Sequence, residues 1–173
     1  MSGQVKDHKA LVKLLRLAHS AERAASYAYQ GHAAITKSPE IKESIKQIED
    51  DEWRHRAELL EIMNEHGITV SKFYEIKYYI IGKIIGLSCF FIGFFLANYF
   101  AGRLESGNVI EYFNMRDMFN ELGITKYDAC MEEMAQKEKD HELFFLELVK
   151  DHWLLPLFST IFRWGPKRSF NDL

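Results

Sequence analysis

Two four-residue runs constrain this chain more than any other feature: Glu52-Trp53-Arg54-His55 and Glu138-Lys139-Asp140-His141. Each places a carboxylate three residues ahead of an imidazole, and on a helix that spacing puts both on one face. The faces concerned are apolar. The first run interrupts Ile41, Ile45, Ile48, Leu59 and Ile62; the second interrupts Tyr127, Met131, Met134, Phe145 and Leu148. Spacings of three and four residues predict helices, here with the acid and the histidine in mid-core. A carboxylate on a buried stripe must be protonated, paired or bound to a cation, because an unpaired buried charge is strongly unfavourable.

Two further acids share this position. Glu22 falls on the stripe Leu11, Leu15, Ala18, Ala25, Tyr29, and Glu105 on the stripe Phe91, Phe95, Asn98, Gly102, Val109, Tyr112, Phe119. Glu22 precedes Glu52 by thirty residues and Glu105 precedes Glu138 by thirty-three, and a tyrosine (Tyr29 or Tyr112) follows each lone acid by seven. The chain therefore reads as two copies of one helical hairpin joined by a long crossover through residues 67–90. One crossover is the connectivity of an all-α, ferritin-like four-helix bundle. Helices are expected over about 7–36, 39–66, 85–122 and 125–150, in one domain spanning 1–173. Ser38-Pro39 suits a cap and a first helical position, Gly67 and Gly123 suit stops, and Thr125 to Asp128 suits a capping-box variant. Asp50, Asp51, Glu132, Glu133, Glu142 and Glu147 are expected on solvated faces.

Among the 173 residues 47% are apolar and 14% aromatic, enough to bury a sizeable core, and a net charge of −3 lacks the basic excess of a nucleic-acid binder. Much of the aromatic content lies in the crossover. Residues 68–83 read as an aromatic and charged connection. Ile84 to Gly102 then carries no charge and holds Phe90, Phe91, Phe94, Phe95 and Phe100. By length that stretch is a transmembrane candidate. Gly86, Gly93 and Gly102 favour bending and close packing, so a helix on the membrane surface is preferred to one buried in the core or in a homodimer contact, and both to a spanning one. The tail, 151–173, is an extra C-terminal amphipathic segment. Its Trp153, Trp164, Lys167 and Arg168 suit a membrane interface, and a helix kinked near Pro156 and covering the bundle suits it equally. Met1 to Lys9 has no apolar run, so no secretory signal peptide is expected. The expected location is peripheral, on the cytoplasmic side of a membrane.

Four carboxylates and two imidazoles, one Glu on each of two helices and one Glu-x-x-His on each of the others, are the ligand set of a two-metal bundle. The candidate metal ligands are Glu22, Glu52, His55, Glu105, Glu138 and His141; beyond them no catalytic group is identified. A mixed nitrogen and oxygen set suits two iron ions first and manganese second. Open positions on paired Fe(II) point to O₂ as a co-substrate. Cys89 and Cys130 are too few for a zinc or iron–sulfur site and read as free thiols. His8, His19, His32, His66 and His152 fall out of ligand register and are expected at the surface or in local hydrogen bonds.

Glu22, Glu52-x-x-His55, Glu105 and Glu138-x-x-His141, with Ala18-His19-Ser20-Ala21 before the first acid, Tyr29-Gln30-Gly31 after it, and Tyr112 after Glu105, carry a resemblance across most of residues 10–150. In these the chain resembles the demethoxyubiquinone hydroxylases of ubiquinone biosynthesis, di-iron members of the ferritin-like superfamily. The apolar, glycine-containing crossover also looks like that family's membrane-contacting segment. The resemblance implies a membrane-associated monooxygenase that hydroxylates a lipid-soluble, quinone-like ring with O₂ and electrons from a donor such as reduced nicotinamide. It also implies Glu52 and Glu138 as bridging carboxylates, Glu22 and Glu105 as terminal ones, and one histidine per iron. The chain differs at Ala21, Arg23 and Ile110-Glu111, where the family has glycine, tyrosine and a His-His pair. Two other functions compete: a rubrerythrin-like di-iron peroxidase or oxidase, and an iron-handling protein. Two cysteines cannot build the rubredoxin domain common in the first, and the uncharged crossover sits badly with the soluble cage of the second.

Overall fold

The computed structural model describes residues 2–165. Among the described residues there are six helices and no strand: α1 (Ser2–Asp7), α2 (Lys9–Ile35), α3 (Pro39–Glu65), α4 (Lys72–Glu121), α5 (Asp128–Val149) and α6 (Leu155–Phe162). The first expected helix is divided at His8, whose Nδ1 accepts a hydrogen bond from the Leu11 amide at 3.1 Å and so caps α2. α3 starts as expected, with Ser38 Oγ accepting from the Ile41 amide and Pro39 in the first turn. It ends at Gly67, which turns left-handed (φ 61°) so that the Ile68 amide reaches back to the Met63 carbonyl at 2.7 Å. The end of α4 repeats that cap with Gly123, Ile124 and Phe119. The capping box expected at Thr125 does not form. Tyr127 occupies the cap position without a side-chain bond; its hydroxyl instead lies 2.6 Å from Glu65 and 2.9 Å from His66, and its ring packs on Phe119.

α4 is two helical arms. Gly93 sits at φ 76°, ψ 174°, a region open essentially to glycine alone, and separates a crossover arm (72–92) from a bundle arm (94–121). The aromatic connection expected over 68–83 is thus helical from Lys72 onward. It lies along α2 at backbone distance: a Cβ on Gly82 would meet the Ala24 carbonyl oxygen at 2.6 Å, and one on Gly86 the Tyr27 oxygen at 2.7 Å. The break also resets the helix face. Phe91, expected on the stripe of Phe95 and Glu105, is 81% exposed, whereas Phe95, Asn98, Gly102 and Tyr112 are buried.

α2, α3, the bundle arm of α4 and α5 form the four-helix bundle. One apolar cluster contains Leu11, Leu15, Leu59, Met63, Met115, Phe119, Met131 and Met134; another contains Tyr29, Ile45, Ile48 and Phe145. Burying side chains of this size contributes about 1.5–3 kcal/mol each. The ionisable residues lie on the same helices between these clusters, so apolar packing above and below offsets the cost of a polar layer. The tail covers the bundle. Trp164 is buried against Gly102 and Tyr99, accepts a hydrogen bond from Tyr99 at its carbonyl, and donates Nε1 to Glu142 at 2.7 Å. Glu142, expected in solvent, is therefore buried, beside Lys139 as well. Pro156 lies in the first turn of α6 and does not kink it. Trp153 is exposed, and Lys167 and Arg168 lie outside the described residues.

Candidate metal centre

The bundle brings all six candidate ligands to one place. Glu22 comes from α2, Glu52 and His55 from α3, Glu105 from the bundle arm of α4, and Glu138 and His141 from α5; none is more than 5% exposed. They form two groups, Glu22–Glu52–His55–Glu138 and Glu52–Glu105–Glu138–His141. Within each, one donor atom per residue lies within 4.8 Å of all the others. Glu52 and Glu138 belong to both. The two Glu-x-x-His pairs face each other crosswise. His55 Nδ1 is 2.9 Å from Glu138 Oε1, and His141 Nδ1 is 3.5 Å from Glu52 Oε1. Those distances suit ion pairs, yet neither contact is an aligned hydrogen bond, and all four atoms are buried without a hydrogen-bond partner among the described residues. Buried polar atoms are seldom left so. Donor atoms that crowd together without bonding one another fit a pair of cations between them.

Surrounding groups fix this layer. The Tyr112 hydroxyl donates to Glu22 Oε1, and Asn108 Nδ2 lies 3.0 Å from both Glu105 Oε2 and Glu138 Oε2. Asp51 Oδ2 is 3.3 Å from His141 Nε2, with Arg54 and Lys137 each within 4 Å of the Asp51 carboxylate. Sequence reasoning placed Asp51 in solvent and passed over Asn108. Asn108 follows Glu105 by three residues, a same-face spacing that was legible. The contact of Asp51 crosses to another helix and had no sequence signal.

Electrostatics give the same picture. Burial, followed by the charge of Glu138, holds the Glu52 and Glu105 carboxyls well above the usual range; burial raises Glu22 too. Burial also acts to raise Glu138, but the adjoining Glu105 carboxyl and His55 ring outweigh it and bring the group down to about 2. Without cations, burial and mutual repulsion favour protons on these carboxyls, because like charges this close resist ionising together. Divalent cations would take the place of those protons.

Of the remaining histidines, His19, His32 and His66 are buried and not at the surface, while His8 and His152 make local hydrogen bonds. His19 joins Ser20, Arg23 and Arg56 around Glu75, tying the crossover arm to α2 and α3.

An apolar cavity of about 170 Å³ opens beside the cluster. Ala21, Ala25, Ala28 and Tyr29 of α2 wall it on one side and Tyr78, Ile81 and Ile85 of the crossover arm on another; it reaches Glu105 and Asn108. The opposite face of the crossover arm is an exposed stripe of Phe73, Ile76, Ile80, Ile84, Leu87 and Phe91.

No curated protein and no solved structure matches the chain. The model of the family described as ubiquinone biosynthesis protein COQ7 matches residues 9–114, more than half of the sequence, including Glu22, Glu52, His55, Glu105 and Tyr112. The second pair, Glu138 and His141, lies beyond that span, and the fold brings it back to the first. With this match, the chain belongs to the COQ7 family of ubiquinone biosynthesis, the demethoxyubiquinone hydroxylases.

Proposed function

We propose that this protein is a di-iron monooxygenase that hydroxylates a lipid-soluble, quinone-type ring at a membrane surface, using O₂ and an external reductant. The observation that carries this reading is the pair of donor groups sharing Glu52 and Glu138. Glu22 and His55 would complete the coordination of one ion and Glu105 and His141 that of the other, with Glu52 and Glu138 between the two. Four carboxylates balance the charge of two divalent ions. Bound iron would supply the oxygen-transfer chemistry that side chains lack. One oxygen atom enters a ring C–H bond; the other leaves as water, with two electrons from the reductant and two protons.

The chain's own residues position and shield. Asp51, accepting from His141 Nε2, leaves Nδ1 unprotonated and free for a metal ion. Tyr112 steadies Glu22, and Asn108 ties Glu105 to Glu138. The alanine-walled cavity has room for a flat ring and little affinity for water. The crossover arm supports the membrane reading. Its inner face closes the cavity and its outer face presents the apolar stripe, as in a helix lying in a lipid interface. α4 is long and apolar enough to cross a membrane, but the break at Gly93 and the close packing on α2 favour a peripheral position.

The test is to load the purified protein with Fe(II) and supply O₂, reductant and membrane lipid extract. The expected product is one oxygen atom heavier than its precursor. Peroxide turnover with no oxygenated product would count against a hydroxylase. Glu52→Ala and His55→Ala are expected to lose iron; two irons per chain in either variant would reject the ligand assignment.

A further inference from the structure

We infer that a basic groove at the start of the chain binds the phosphate of an anionic phospholipid. Lys9, Lys13 and Arg16 recur at intervals of four and three along the beginning of α2 and share a face, and Lys6 of α1 joins them across the break at His8. They wall a concave groove of about 710 Å³, whose other side is the α3–α4 turn from Gly67 to Ser71, and Phe73. Among the described residues none of the three lysines lies within ion-pair distance of a carboxylate. Arg16 is held by neutral groups alone, Nε on the Thr69 carbonyl at 2.8 Å and Nη2 on the Thr69 hydroxyl at 3.3 Å, so its charge is uncompensated. Glu75, the acid in the first turn of α4, is already held by Arg23 and Arg56. In a chain of net charge −3, four uncompensated cations on one face form a strongly polarised surface.

A second, independent feature meets the groove. Phe73, which lines it, is 69% exposed and begins the apolar stripe that continues through Ile76, Ile80 and Ile84. A crossover arm lying in a lipid interface holds the groove at the level of the headgroups. A soluble phosphate would leave Phe73 in water, whereas a phospholipid brings its acyl chains onto that ring while its phosphate meets the lysines. The site thus rests on the membrane-surface reading above and adds to it a preference for negative charge.

Flotation of the iron-loaded, full-length protein tests this, with vesicles of phosphatidylcholine alone and with phosphatidylglycerol added. The wild type is expected to prefer the anionic vesicles, by a margin that shrinks as salt is raised. Lys9→Gln with Lys13→Gln is expected to weaken binding to anionic vesicles about thirtyfold and to leave binding to neutral vesicles unchanged; Lys9→Arg with Lys13→Arg restores it. Both lysines are exposed, so iron content and helicity are expected to match the wild type. An undiminished preference in the glutamine variant overturns the proposal. So does release from anionic vesicles by inorganic phosphate or reduced nicotinamide dinucleotide at constant ionic strength, which would assign the groove to a soluble phosphate. Normal flotation without charge dependence rejects the groove alone, whereas no flotation with either vesicle rejects the membrane-surface reading and the groove together.

Discussion

Asp51 on α3 holds His141 on α5, carboxylate oxygen to Nε2, at 3.3 Å. Holding a ring by its far nitrogen fixes both its tautomer and its aim, and such partners are worth 10–100-fold in metal affinity. Among the described residues His55 has no equivalent: its Nε2 is unpartnered, and the residue that corresponds to Asp51 in the second pair is Lys137. Asp51→Asn is therefore expected to weaken one of two Fe(II) ions by roughly tenfold or more and to spare the other. Competition with a coloured chelator reads this directly as biphasic loading. Equal weakening of both ions, or of neither, would remove Asp51 from the role.

Gly93 separates the two arms of α4 at φ 76° and ψ 174°. A side chain there costs about 1–3 kcal/mol. Gly93→Ala is expected to lower the melting temperature by several degrees, even though nothing lies within 4 Å of the added Cβ. Gly107 is the matched control, since it too has open space around it but sits in a regular helical stretch. Gly107→Ala is expected to stabilise by about 0.5–1 kcal/mol. Thermal melts followed by circular dichroism separate backbone strain from crowding through this pair.

The cluster at Glu75 sets an acid limit. Burial acts to raise this carboxyl, but hydrogen bonds from Arg56 and Ser20 and the neighbouring positive charge outweigh it and lower it from 4.5 to about 2. The unfolded chain therefore takes up the proton first. The contribution of Glu75 is complete above pH 4.5 and is lost as pH falls toward 2. His19 and His32, lowered from 6.5 to about 4 chiefly by burial, add an earlier step, with stability declining as pH drops from 6.5 to 4. Glu75→Gln is expected to lose about 2 kcal/mol near neutral pH, after allowance for solvent screening, to flatten the lower step and, since the Glu75 charge supports a protonated His19, to deepen the upper one. Denaturant titrations across this pH range measure both.

The four bundle helices, their order, and the six ionisable residues on their inner faces were legible because each acid or histidine interrupts an apolar stripe of helical period. Legibility failed where a contact joins elements distant in sequence. Asp51 and Glu142 look like ordinary surface acids until α5 and the tail are folded over them. It also failed at Gly93, since periodicity carried across a backbone break assigns Phe91 to the wrong face. The helical character of Lys72 to Lys83 went unread for a related reason. Aromatic and apolar residues occupy both the face of this segment against α2 and its outward face, so no single apolar stripe marks its period.

Small residues keep the cavity beside Glu105 open: Ala21, Ala25 and Ala28 on α2, and Ala97 and Ala101 on α4. Ala28→Leu and Ala101→Leu each place three more carbons into a space of about 170 Å³. Filling an apolar void commonly stabilises a protein by about 0.5–2 kcal/mol, so neither variant is expected to unfold or to lose iron. Either one would obstruct a ring bound in the cavity beside Glu105 and Asn108. The expected result is a rise in KM or a fall in kcat of about tenfold for a long-tailed substrate, roughly 1.4 kcal/mol of lost binding or alignment. A smaller, tail-less ring should be affected less by Ala28→Leu if the tail runs along α2 past this residue. Unchanged turnover in both variants, with iron intact, would show that substrate reaches the metal layer by another route.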